Sequence, residues 1–250
     1  MQALDFLHGA HRFVGVPLAH VAKELTVTRK SGEFKGWGPH TYWDEFDFWK
    51  SKGKSASIKG LRGNVVQQLF TGLAPDSNSG KDTPWFELKS FEVLLENGAY
   101  KSKEKNLKIG SLNYQELLQL DFLEMPVAPK MLQSFWVPVL INDADCSFSR
   151  WESGVLLRPI VFVPDEGQLD EMRNDFIHYK GLVEAGEEGA MSQRTNLNKT
   201  SVLSVNTSGR SGQKQGFNLN DGSRKEWRTR SWYFHPDLKK AQLHSSFKVW

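Results

Sequence analysis

A chain of 250 residues that is 39% hydrophobic and 24% charged, with 9 Trp and 16 Phe, suits one large domain or two small lobes and lacks the composition of a disordered protein. Its single cysteine, Cys146, excludes an internal disulfide and a cysteine-built zinc cage. Neither the first residues nor the longest apolar stretch, 135–141, has the pattern of a secretory leader or a membrane span, so a cytoplasmic protein is expected, with no membrane partner.

The formal net charge of +3 hides an asymmetry: residues 191–250 hold 11 Lys and Arg against 3 Asp and Glu, whereas residues 1–190 hold 21 against 26. The last quarter is therefore the natural face for a polyanion, although the same excess also describes a merely solvated basic surface.

In chain order, Val16, Leu18, Val21, Ala22 and Leu25 recur at helical spacing behind Pro17 and predict a short amphipathic helix. Residues 29–57, rich in Gly, Lys and aromatics, read as a long irregular insertion. Val65, Val66, Leu69 and Phe70 predict a helix from Gly63 to Phe70, entered through glycine. A turn-rich loop between Gly72 and Gly80 leads to a strand, Trp85-Phe86-Glu87-Leu88-Lys89, continuing through Leu95 to a hairpin turn at Asn97-Gly98. Further predictions are a helix over 115–122, a central strand over 134–141, a strand over 156–163 and a long helix over 167–185. That helix carries Leu169, Met172, Phe176, Tyr179 and Val183 on one face. The closing region alternates short strands with a basic Gly/Ser loop, 207–212. Helices and strands without regular alternation predict a mixed α/β (α+β) fold around one central sheet.

The informative segment is Asp82-Thr83-Pro84-Trp85-Phe86-Glu87-Leu88-Lys89. Strand alternation sends Glu87 and Lys89 to one face while Phe86 and Leu88 anchor in the core. An Asp arriving from the preceding turn completes a carboxylate pair whose oxygens suit Mg²⁺, with a lysine ammonium beside it, which is the equipment for phosphodiester hydrolysis. Alone, Glu-x-Lys on a strand also describes ordinary solvated surface. The seven histidines lack metal-site spacing beyond His8-x-x-His11, and Ser/His/Asp catalysis has no G-x-S-x-G support.

In order along the chain, Gly15-Val16-Pro17-Leu18, Lys59-Gly60-Leu61-Arg62-Gly63-Asn64-Val65-Val66-Gln67, Glu87-Leu88-Lys89-Ser90, Lys130 ahead of Phe135-Trp136-Val137-Pro138-Val139, Asp175-Phe176 and Trp232-Tyr233-Phe234 resemble the motifs of the MutH-like DNA endonucleases, which have the PD-(D/E)xK nuclease fold. The resemblance implies a restriction-endonuclease-like core in a single MutH-like domain over 1–250, with a central mixed sheet flanked by helices and two lobes around a DNA cleft. It implies a Mg²⁺-dependent catalytic centre of Asp82, Glu87 and Lys89, with Asp82 and Glu87 as metal ligands and Lys130 as a phosphate-side helper. It also implies a monomer acting on double-stranded DNA, nicking the unmethylated strand of hemimethylated GATC sites in mismatch repair with MutL as partner. A restriction enzyme of the same fold cutting both strands, or an inactive DNA-binding derivative, are the alternatives.

Three departures from the family pattern stand out. Gln67 replaces the helix glutamate and can hydrogen-bond a metal-bound water without adding charge. The Asp82-to-Glu87 spacing is shorter than in MutH, and Asp76 rivals Asp82 as first carboxylate. The 29–57 insertion has no counterpart. In the basic last quarter, Arg210, Lys214, Arg224, Lys225, Arg228 and Arg230 are the DNA-binding candidates, with Trp227, Trp232 and Tyr233 either stacking on nucleic acid or filling a small C-terminal core.

Overall fold

The computed structural model describes residues 11–27, 32–34, 36–72, 86–103, 107–142, 146–192, 201–208 and 212–247. The chain forms two compact units, one from 1–104, 134–161 and 243–250, the other from 105–133 and 162–242.

In the first unit, helices α1 (Leu18–Glu24), α2 (Tyr42–Ser51) and α3 (Ser55–Thr71) precede strand β1 (Glu87–Glu96). A tight turn joins β1 to β2 (Ala99–Ser102), with Asn97 at φ 51° and Gly98 at φ 74°, the left-handed pair that a two-residue hairpin demands. Strand β4 (Ser134–Leu140) lies parallel to β1, with Leu88 opposite Phe135 and Lys89 opposite Trp136. Antiparallel β2 on β1 and β5 (Val155–Leu156) on β4, with β6 (Ile160–Phe162) also on β4, make the sheet mixed. The strand expected over 156–163 is divided, because Pro159 lacks the N–H that would continue the ladder.

One face of this sheet, carrying Leu88, Phe135, Val137 and Val139, packs with Leu18 and Val21 of α1, Tyr42 and Phe46 of α2 and Leu61, Val65 and Val66 of α3. Trp151 of α6 (Ser147–Glu152) completes this core, stacked on Phe46 at 4.5 Å between ring centroids.

Two expectations are corrected here. Residues 36–57 are not an irregular insertion. Thr41 caps α2 through its hydroxyl, which accepts from the Asp44 N–H at 3.3 Å, while the Asp44 carboxylate accepts from the Thr41 N–H at 2.7 Å. The buried Tyr42 and Phe46 then commit the helix to the core. Helix α3 likewise starts at Ser55 instead of Gly63, so Gly63 sits in mid-helix, and it ends at Gly72, whose φ of 69° supplies the left-handed cap.

The second unit holds a three-stranded antiparallel sheet in the order β3 (Leu107–Leu112), β10 (Arg230–Phe234), β7 (Leu203–Thr207). It also contains α4 (Tyr114–Gln119), α5 (Ala128–Leu132), the long α7 (Glu166–Glu184) and a separate two-stranded ribbon, β8 (Lys214–Asn218) with β9 (Arg224–Arg228). Helix α7 buries Met172, Phe176, Tyr179 and Val183, as its periodicity predicts. Helix α8 (Pro236–Ser246), which sequence reading missed, follows β10. Among the described residues no helix is long and apolar enough to cross a membrane.

Helix α7 also grips the edge strand. Asp175 Oδ2 accepts the backbone N–H groups of Val202 (2.9 Å) and Leu203 (2.8 Å), and the Tyr179 hydroxyl accepts that of Val205 (3.1 Å). Burial pushes the Asp175 carboxyl above the usual carboxylate range, partly offset by the hydrogen bonds it accepts. The folded state therefore binds this proton more tightly than the unfolded chain does. The stability it contributes is full below the ordinary aspartate pKa of about 3.9 and is lost as the pH rises through the raised folded-state value. Asp175→Asn keeps an acceptor oxygen without the charge, so urea midpoints measured across that range should lose part of their pH dependence. An identical pH profile in the variant would contradict the assignment. Thr41→Ala should cost about 1 kcal/mol in the same unfolding experiment.

Candidate active site

Phe86 fixes the entry to β1, its ring 5.2 Å from that of Phe135, which in turn lies 5.8 Å from Phe70 at the end of α3. With Leu88 committed to the same core, the two-residue period of the strand puts Glu87 and Lys89 on the opposite face. The parallel ladder to β4 begins at Glu87 and Ser134, so both residues sit on hydrogen-bonded backbone. Antiparallel β2 pairs from Val93 onward, and the Glu87–Glu92 stretch runs past the end of that hairpin.

Glu87 is 2% exposed, and Lys89 is half-buried with its ammonium donating to Glu87 Oε1. A carboxylate so deeply removed from water is expensive unless a counter-charge and hydrogen bonds satisfy it, and Lys89 supplies both. The pair brings an acceptor-rich carboxylate and a three-donor ammonium to one spot at the start of β1. The carboxylate is of the oxygen-donor type that a hard cation takes.

The other face of β1 carries a second ionic group that sequence reading missed. Glu92 Oε1 accepts from Arg62 Nη1 of α3 at 2.6 Å, and Arg150 Nε of α6 lies 3.9 Å from Glu92 Oε2. The hydrogen bond ties α3 to the strand, and the longer Arg150 ion pair links α6 to the same carboxylate. The parity of Glu92, two residues on from Ser90 and four from Leu88, places α3 on the face away from Glu87 and Lys89.

Gln67, in the last turns of α3, is half-buried, and its carbonyl accepts from the Thr71 hydroxyl at 2.7 Å. The amide built into the structure is its neighbour Gln68, whose Oε1 accepts from Tyr42 and whose Nε2 donates to the Thr26 carbonyl, both at 2.7 Å. Asp82 and its rival Asp76 lie outside the described residues, as does Arg210. Lys130 is a half-buried residue of α5, in the second unit. Among the described residues no three His, Cys, Asp or Glu side chains cluster as a metal cage.

The basic candidates of the last quarter separate by strand face. Lys214, Arg224 and Arg228 are exposed on the ribbon, whereas Lys225 is half-buried on its inner face opposite Phe217. Arg230 is 5% exposed. Its Nη1 lies 3.0 Å from the Tyr114 hydroxyl and 3.3 Å from Glu188 Oε1, and its Nη2 donates to the Glu188 carbonyl at 3.1 Å. Reading Arg230 as a surface contact is therefore corrected: this arginine is consumed by an internal network. Trp227 and Trp232 are core residues.

No family model matches the chain, and no curated protein matches it.

The split among the arginines has a direct consequence. Arg230→Ala removes the guanidinium from a buried network and should lower the stability of the second unit by about 2–4 kcal/mol. Arg228→Ala, at an exposed site, should leave the thermal midpoint nearly unchanged. Comparable losses in the two variants on thermal melting would refute this division.

Proposed function

We propose that this chain is a Mg²⁺-dependent DNA endonuclease of the MutH type. The observation that carries the reading is the pairing of buried Glu87 with Lys89 on one face at the start of β1, beside the parallel β4 strand. The mixed sheet flanked by helices suits the restriction-endonuclease-like core that the resemblance implies, and the basic last quarter suits a polyanionic substrate.

In this reading Glu87 and Asp82 hold the metal. Mg²⁺ held there would supply a Lewis acid to polarise the scissile phosphate and acidify a bound water. Glu87 contributes a carboxylate already stripped of bulk water, so its interaction with a cation is screened weakly. Lys89 Nζ, steadied on Glu87 Oε1, has further N–H donors to orient the attacking water or to hold a non-bridging phosphate oxygen. The resemblance also assigns Lys130 to the phosphate side and Gln67 to a water, but Gln67 belongs to α3, on the sheet face opposite Glu87 and Lys89, so the reading rests on Glu87 and Lys89. Nicking of the unmethylated strand at hemimethylated GATC, by a monomer acting with MutL, is the specific activity proposed.

A supercoiled plasmid with hemimethylated GATC sites tests this, incubated with and without Mg²⁺ and MutL. Wild type should convert it to the open circle only with metal. Glu87→Gln and Lys89→Met, which keep side-chain length, should reduce the rate by at least about 100-fold, the scale for losing one transition-state-stabilising group. Circular dichroism checks that both variants fold. Equal cutting by wild type and both variants would sink the site assignment. Linear product from unmethylated plasmid without MutL would instead identify a restriction endonuclease, and metal-independent DNA binding with no product would identify an inactive derivative.

A further inference from the structure

The β8–β9 ribbon has two unlike faces, and the difference follows from its register. Lys214 opposes Arg228, Gly216 opposes Glu226 and Asn218 opposes Arg224, so these six residues share one face, and all six are exposed. The alternate residues, Gln215 and Phe217 against Trp227 and Lys225, share the other.

The inner face is bolted down. Phe217 and Trp227 pack on Tyr114, with ring centroids 4.8 and 5.4 Å away. Gln215 Nε2 donates to Asn113 Oδ1 at 3.1 Å, the Asn218 N–H donates to Gln115 Oε1 at 3.0 Å, and the Tyr114 hydroxyl donates to the Arg228 carbonyl at 2.6 Å. The Arg228 N–H donates to Glu188 Oε1 at 2.7 Å, which joins the ribbon base to the Arg230 network. The ribbon is thus a rigid mount, and its outer face is left to solvent.

We infer that the outer face of this ribbon is a docking surface for B-form duplex DNA, with Lys214, Arg224 and Arg228 on the phosphates and groove edges and Asn218 and Glu226 within reach of base edges. The inference rests on the proposed DNA-directed function for the identity of the polyanion. It goes further in naming the element and in removing Lys225 and Arg230 from the contact.

Three physical points favour a duplex. The outer face carries three cations against one acid, and that acid, Glu226, is 3.6 Å from Lys214 Nζ. The other acid nearby, Asp221 in the connecting turn, accepts the Ser223 N–H at 2.8 Å and is absorbed in shaping that turn. A two-stranded ribbon fits the B-DNA major groove, which is about 12 Å wide, whereas the deep, narrow major groove of A-form RNA does not admit it. Single strands are bound by stacking bases on aromatic rings, and both aromatic rings of this ribbon point inward. Gly216 keeps the middle of the outer face low, with the Arg224 guanidinium lying across it: a Cβ there would stand 3.5 Å from Arg224 Nη2.

Fluorescence anisotropy on the full chain in EDTA, where cleavage is suppressed, isolates binding. The probes are a labelled 30-base-pair DNA duplex, the matching single strand and the matching RNA duplex, each titrated over a range of salt. The variants are Arg224→Ala with Arg228→Ala, Asn218→Ala, and a charge-matched control of Arg173→Ala with Lys240→Ala. Wild type should prefer the DNA duplex. The ribbon double variant should bind it at least about tenfold more weakly, with the salt slope reduced by about 2, roughly one per lost phosphate contact, and an unchanged thermal midpoint. Asn218→Ala should narrow the difference in affinity between duplexes of different sequence.

Ribbon variants that bind like wild type, a control double variant that loses as much affinity, or preference for the single strand or the RNA duplex would each overturn the inference. So would a wild type that does not bind duplex DNA. Ribbon-dependent binding by a protein that never nicks plasmid would uphold the ribbon while removing the nuclease reading, and nicking that ribbon variants retain in full would do the reverse.

Discussion

The structure turns on a buried charge at the start of a strand. Glu87 has lost nearly all contact with solvent, and a carboxylate in that position is tolerable only with a cation held against it. Lys89 is held there because Leu88, between them, is anchored among Phe70, Phe86, Phe135 and the α3 side chains. Apolar packing on one face of β1 thus sets the separation of two charges on the other. The parallel bond pattern with β4 fixes the strand along its length, so neither side chain can be turned over without moving the whole sheet register.

The same strand carries opposite electrostatics on its two faces. Glu92 serves two arginines, and that ionic group fastens helices to the sheet. Glu87, on the other face, accepts from the Lys89 ammonium. Both are glutamates of one short segment, and what separates them is the face and the kind of cation each accepts from. The second unit repeats the contrast in arginine: Arg228 and Arg230 are two residues apart, one exposed and one locked to Glu188 and Tyr114.

What could be read from the sequence is what depends on neighbours in the chain. The Glu87–Lys89 face, the Asn97–Gly98 turn, the 134–140 strand and the apolar stripe of α7 all follow from local periodicity or backbone preference. Helix α2 was also announced locally, by the Thr41 and Asp44 cap, but the Gly, Lys and Trp content around it obscured that signal. The Arg62–Glu92 bond joins residues 30 apart and the Arg230–Glu188 bond residues 42 apart, and no local pattern distinguishes these arginines from solvated ones. Whether Gln67 or Gln68 carries the structural amide likewise depends on Tyr42 and Thr26, which only the fold brings near.

The division of the chain between the two units constrains how the protein can form. The backbone leaves the first unit after residue 104, returns at 134, leaves again after 161 and returns once more at 243. The β1–β4 ladder therefore closes across residues 105–133, which belong to the other unit, and β3 waits for β10, more than a hundred residues later. Such long-range closures make folding slow, because loop entropy is lost before the contacts compensate for it. During synthesis neither unit has all of its parts until the residues around 240 have been made, so neither can complete early. The basic last quarter is consequently no detachable module: cutting the chain at 190 would strip β7 and β10 from β3 and leave that strand without its sheet.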